Sequence, residues 1–118
     1  MATIANTSKS VAGPFNPASI LLATSGDTLT YVPGTGQELI LFNTDVSTVV
    51  VTIDGSAGTS VAVPSAGATT LDISAGLAVS VLAGKFEVVR LDSVPAYLQG
   101  TVAITAATGA VVAASIIY

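Results

Sequence analysis

The side chains able to do chemistry are few. The bases are Lys9, Lys85 and Arg90, the acids are Asp27, Glu38, Asp45, Asp54, Asp72, Glu87 and Asp92, and there is no histidine or cysteine. A nucleophilic serine or threonine needs a base within hydrogen-bond reach. No S-x-x-K spacing occurs, and the SKS run at 8–10 lies in a stretch with no pocket to lower a lysine pKa. Paired carboxylates could pass a proton, but Asp45 and Asp54 flank one expected strand and so sit at its opposite ends. Asp72 and Glu87 read as outward-facing strand residues, and IDGS at 53–56 lacks the Asp-Thr/Ser-Gly order of aspartic proteases. A metal could find only oxygen ligands, in DGSAGT at 54–59 or NTD at 43–45. The same letters make tight hairpin turns, and the turn is the preferred reading. PGTGQ at 33–37 lacks the lysine and following helix of a phosphate-binding loop and reads as a plain loop. Lys85 and Glu87 share a strand face and read as a surface ion pair, as do Arg90 and Asp92. The expectation is therefore no enzyme, no catalytic residue, no metal, no cofactor and no small-molecule substrate.

The elements that would have to position any site follow from composition. The 118 residues are 51% hydrophobic and 8% charged, with a formal net charge of −4. Three basic residues make no stripe to neutralise phosphates, so no nucleic acid is expected as partner. A polybasic membrane patch is missing for the same reason. The first residues have no charged region leading into an apolar run and do not read as a secretory signal. Residues 93–118 carry no charged side chain and are long enough to span a bilayer. Pro95, Gln99, Gly100 and Gly109 interrupt them, so two buried strands are preferred and no membrane span is expected.

Glycine-bearing turn signals recur at 25–27, 33–36, 54–58, 65–67, 74–76, 83–85 and 107–109. Between them, Val49, Val51 and Ile53 alternate with Val50, Thr52 and Asp54, and Val102 and Ile104 with Ala103 and Thr105. ELILF at 38–42 is nearly all apolar and suits a strand covered on both faces. Strands are expected near 19–24, 28–32, 38–43, 47–53, 59–63, 68–73, 77–82, 86–91, 100–105 and 110–117. The fold class is all-β: a small antiparallel β-sandwich or jelly roll of eight to ten short strands over residues 18–118. Residues 1–17, with two prolines, form an extended N-terminal arm, with two readings open: a frayed terminus, or an arm that docks on a neighbouring subunit by strand addition. Its apolar anchors are Ile4, Val11 and Phe15. The closing VVAASIIY is apolar enough to want a partner or a buried place in a sheet. Candidate partner contacts are therefore Ile4, Val11, Phe15, Tyr97, Ile116, Ile117 and Tyr118, on the arm, the last strand and the sandwich end bearing PGTG and 93–99.

MATIANTS at the start, ELILFNTDVSTVVVTIDG, VPSAGATTLDISAG, VSVLAGKFEVVRLD and a late GTVAIT resemble small jelly-roll head decoration (cement) proteins of tailed bacteriophages. The likeness covers roughly residues 38–105, and the chain departs from it in ending on VVAASIIY. The resemblance implies a structural virion protein made in the host cytoplasm. It would sit on the capsid outer surface, bind the major capsid protein as a homotrimer and stabilise the shell. Two other readings stay open: a tail, fibre or head–tail component on the same fold, and a receptor- or glycan-binding module.

Overall fold

Alternating apolar residues can bury one face of a strand only by packing it against a second sheet. The computed structural model, which describes residues 2–9, 13–62 and 70–118, has that arrangement. Its strands are β1 (Asn6–Thr7), β2 (Ser19–Leu21), β3 (Asp27–Leu29), β4 (Glu38–Asn43), β5 (Val49–Gly55), β6 (Ser60–Ala62), β7 (Thr70–Asp72), β8 (Leu77–Val81), β9 (Phe86–Arg90), β10 (Val102–Ala106) and β11 (Val112–Ile117). One sheet places β9, β4 and β11 side by side, with β2 and then β1 along the other edge of β11. The second sheet runs β3-β10-β5-β8, and β6 with β7 forms a separate hairpin.

Four pairings define the topology: β2 with β11, β3 with β10, β4 with β9 and β5 with β8, all antiparallel. Strands of the first half thus pair with strands of the second in reverse order, as in a long ribbon rolled up on itself. This is the jelly roll. All ten expected strands are present, most of them shorter than expected, and β1 is additional. The apolar tail at 93–118 supplies β10 and β11, each flanked by strands on both sides, so VVAASIIY has its buried place in the sheet. No helix among the described residues is long and apolar enough to cross a membrane.

The core lies between the sheets. Val49, Val51, Ile53, Val102 and Ile104 on one side meet Leu39, Leu41, Val112, Ala114 and Ile116 on the other, all buried. Full burial of one such Val, Leu or Ile side chain stabilises by about 1.5–3 kcal/mol. Two expected partner contacts belong here instead. Ile116 is in phase with Val112 and Ala114, and a period of two turns all three inward. Ile4 is 1% exposed because the arm crosses from one sheet to the other at that point. Thr3 forms a parallel bridge with Thr28 of β3, and Asn6–Thr7 then pair parallel to Ile116–Ile117 of β11. The Ile4 and Thr28 amides donate to Thr28 O and Ala2 O, and the Lys9 amide to Tyr118 O. Residues 2–9 are thereby stitched to their own sandwich, closing one side of it.

Between β9 and β10 the chain makes two short 3-10 turns, Leu91–Ser93 and Pro95–Leu98, which bury Leu91 and Leu98. Gly55 of β5 lets this segment approach: a Cβ there would meet Gln99 O at 2.5 Å and Tyr97 O at 2.6 Å.

Candidate interaction surface

The two sheets present different outer faces. On the four-stranded sheet the outward residues are Thr28, Ala103, Thr105, Thr52, Asp54, Val50, Ala78 and Ser80, mostly small or hydroxylated. On the five-stranded sheet, cross-strand register aligns Leu21, Ala113, Phe42 and Phe86 in one row. Ser19, Ser115, Ile40 and Val88 form the next row, followed by Ile117, Glu38 and Arg90. Phe42 stacks on Phe86 with ring centroids 4.5 Å apart. Both faces of β4 are apolar, but the outer one has no second layer on it among the described residues: Ile40 and Phe42 are only half-buried. The expected strand covered on both faces is therefore an inner strand with an open apolar outer side.

The apolar rows continue around one end of the sandwich, where the turns at 22–26, 44–48, 82–85 and 107–111 meet. Val46 is 94% exposed there, Phe86 65%, Leu82 59% and Leu21 55%. Local chemistry holds Val46 out. Asn43 is fully buried, donates from Nδ2 to Ser47 O (2.8 Å) and Val81 O (2.9 Å), and accepts the Asp45 amide at Oδ1 (2.9 Å). Asp45 in turn accepts the Val46 amide (2.8 Å) and the Ser47 hydroxyl (3.3 Å). The NTD segment thus uses its oxygens to build a turn. Among the described residues the charged side chains on this end are Asp45, Lys85 and Asp27, the last buried and accepting the Ala23 and Ala2 amides.

The opposite end is polar and tied down. Asp92 accepts the Tyr31 hydroxyl (2.8 Å) and Gly34 amide (3.1 Å) at Oδ1 and the Gly36 amide (3.1 Å) at Oδ2, which pins the PGTG loop. The donated Tyr31 hydroxyl, then the two amides, hold its carboxyl below the usual carboxylate range, and the same bond raises the Tyr31 hydroxyl. Asp92 makes no salt bridge with Arg90, whose charge adds only a weak attraction at longer range. The ion pair among the described residues is Lys9–Glu38 at 3.0 Å, and Lys85 with Glu87 forms none. Glu87 shares the side of the sheet with inward Leu41 but stays exposed because β9 lies at the sheet's edge.

Two shallow grooves lie near this polar end. One of about 310 Å³ is lined by Thr3, Thr28, Thr30, Tyr31 and Leu98, the other of about 230 Å³ by Asn6, Val32, Gln37 and Tyr118. Gln37 is buried with its amide fully used, donating to Asn6 Oδ1 and Thr30 O and accepting the Val32 amide. Among the described residues no buried side-chain nitrogen or oxygen lacks a partner, and no three His, Cys, Asp or Glu side chains gather as a metal site would need.

Of the remaining candidate contacts, Phe15 and Tyr97 are half-buried, Ile117 is half-buried on the apolar outer face, and Tyr118 is exposed beside it. Val11 lies outside the described residues. Exposed apolar side chains that the sequence reading missed include Leu21, Val32, Val46, Leu82, Phe86 and Val88. For Phe86 and Val88 the signal was the apolar pairing of LILF with FEVV, whereas Leu21, Val32, Val46 and Leu82 lie outside both runs and left no such signal. Comparison with known protein families, with curated proteins and with solved structures gives no match.

Proposed function

We propose that this protein is a structural, non-catalytic subunit that binds the outside of a phage capsid and stabilises it as a decoration protein. The observation that carries the reading is the charge-poor apolar end, where Val46 and Leu82 stand exposed at the tips of the jelly-roll turns. A patch of this kind is an interaction surface in a protein that must otherwise stay in solution. Such a subunit needs no reaction chemistry; it works by removing apolar area from water at about 25 cal/mol per Å². Each bound copy ties together the capsid surfaces it spans, so expansion of the shell must first expose that area again. Repetition over a symmetric lattice turns a modest contact into a large total. The jelly roll is used by viral capsid proteins, and also by lectins, so the fold is an analogy and the surface carries the argument.

The test is made on particles produced by the genome that encodes the chain. Mass spectrometry of purified virions is expected to find the protein in many copies, and particles lacking it are expected to lose their contents at lower temperature. Added wild-type protein restores them, whereas the folded Val46→Asp/Leu82→Asp variant binds at least about tenfold more weakly, since two apolar anchors are lost. Absence from the particle, or binding indifferent to that variant, overturns the proposal. Recovery with tails alone moves the role to the tail.

A further inference from the structure

The outer face of the five-stranded sheet has a relief. Phe42, Phe86, Ile40 and Val88 on β4 and β9 form a ridge, two of whose members are the stacked rings. Beside it Ala113 and Ser115 of β11 and Ser19 of β2 form a trough, bounded by Leu21. A line along the strands, between β11 and β4, separates the two halves.

We propose that this face is a homodimer interface, in which two copies pack about a two-fold axis running along that line. Rotation about it lays β4 of one copy on β11 of the other, and β9 on β2. Phe42 then meets the Ala113 of the second copy, Ile40 its Ser115, Val88 its Ser19 and Phe86 its Leu21. In three of these four pairs a larger side chain falls on Ala or Ser, while Phe86 and Leu21 meet as two large apolar groups at the rim, and the two-fold repeats the whole set as an isologous contact requires. A face whose relief complements itself in this way selects a second copy of the chain over a partner of unrelated shape.

The area sets the strength. Four strands about 4.8 Å apart and three residue pairs about 6.8 Å apart along each strand span about 20 by 20 Å, or ~400 Å² per copy. The total of ~800 Å² is below the ~1,200 Å² at which stable specific interfaces begin, so the dimer belongs to the transient class. Because the axis runs along the strands, both copies present the Val46 and Leu82 end in the same direction. On the capsid role proposed above, which this consequence alone depends on, the pair would grip one surface at two points.

The experiment is sedimentation equilibrium of the full chain from ~10 µM to ~1 mM. The wild type is expected to pass from monomer to dimer over that range. Phe86→Asp stays monomeric, its dissociation constant raised by at least about a hundredfold, because an exposed ridge position gains a charge that the interface would bury. Ala113→Phe separates this packing from general stickiness. It adds apolar area to the face but fills the trough, so dimerisation weakens about tenfold or more, whereas a merely adhesive face associates more strongly. Ser115→Leu repeats that test at a second trough position should Ala113→Phe fail to fold, and Val50→Asp on the other sheet leaves the equilibrium unchanged. Circular dichroism checks folding of each variant. A monomer up to ~1 mM, a trimer as the family resemblance implies, insensitivity to Phe86→Asp, or strengthening by the trough variants each overturns the dimer. None of these outcomes bears on the capsid test, which reads Val46 and Leu82 on particles.

Discussion

Replacing Ile4 by alanine tests whether the N-terminal segment is part of the fold. In the structure Ile4 lies between the sheets at 1% exposure, in the same cluster as Leu29, Leu39 and Ile116. The substitution removes three carbons, about 2.4 kcal/mol at ~0.8 kcal/mol per buried methylene. A cavity that only partly collapses adds about 1 kcal/mol. The position is held from one side by a short segment, which allows some closure, so the expected loss is about 2.5–3.5 kcal/mol. For a chain of this length that lowers the thermal midpoint by roughly 10 °C. Urea titration and a thermal melt, each at low concentration, measure it. Thr3→Ala is the control: its exposed side chain bonds the exposed Thr28 hydroxyl at 2.8 Å, and its loss should cost under about 0.5 kcal/mol. Deleting residues 2–9 should cost at least as much as Ile4→Ala, since it also removes the ladder to β3 and β11. An Ile4→Ala midpoint within about 2 °C of wild type would refute the reasoning, since it would mean the segment is undocked in solution and free to reach another subunit.

Gly55→Ala should destabilise by about 1–3 kcal/mol, because the added Cβ would have to displace the backbone of the 95–99 turn; urea titration reads it directly. Asn43→Ala should cost about 2–3 kcal/mol by leaving the Val81 and Ser47 carbonyls and the Asp45 amide without their partner. It should also loosen the turn that holds Val46, visible as faster amide exchange at 44–48. The carboxyls of Asp92 and Asp72 are lowered in the folded state, the first by the Tyr31 hydroxyl and the second by the Ser74 side chain and amide. The stability they contribute is therefore present above the ordinary carboxylate pKa, near 4, and is lost as pH falls through their folded values. Urea midpoints from pH 6 down to pH 2.5 should decline below about pH 4, and Asp92→Asn should flatten part of that decline. An unchanged acid profile in the variant would argue against the Tyr31–Asp92–loop clasp.

The strand pattern of this chain was legible because its cause is local. Val49, Val51 and Ile53, or Val102 and Ile104, alternate with small polar residues, and glycine-bearing turns mark where strands stop. With so few charges and no histidine or cysteine, composition alone pointed away from reaction chemistry and toward a protein of surfaces. Local pattern does not encode which faces stay open. The nearly apolar run at 38–42 looks like a strand covered on both sides, and Phe86 and Val88 by themselves give no hint that they extend its outer face. Only the order β2-β11-β4-β9 shows that the outer residues of these strands align into one exposed face. The same holds for Ile4. Its segment has the composition of a loose arm, and its burial depends on Thr28 and Ile116, which lie far away in sequence but adjacent in space. Asp92 makes the point from the polar side, since its nearest charged neighbour in sequence is Arg90 but its hydrogen bonds go to Tyr31, Gly34 and Gly36. Periodicity specifies which side of a strand is inward; the pairing of distant strands, which depends on closing long loops around a shared core, decides what each side then meets.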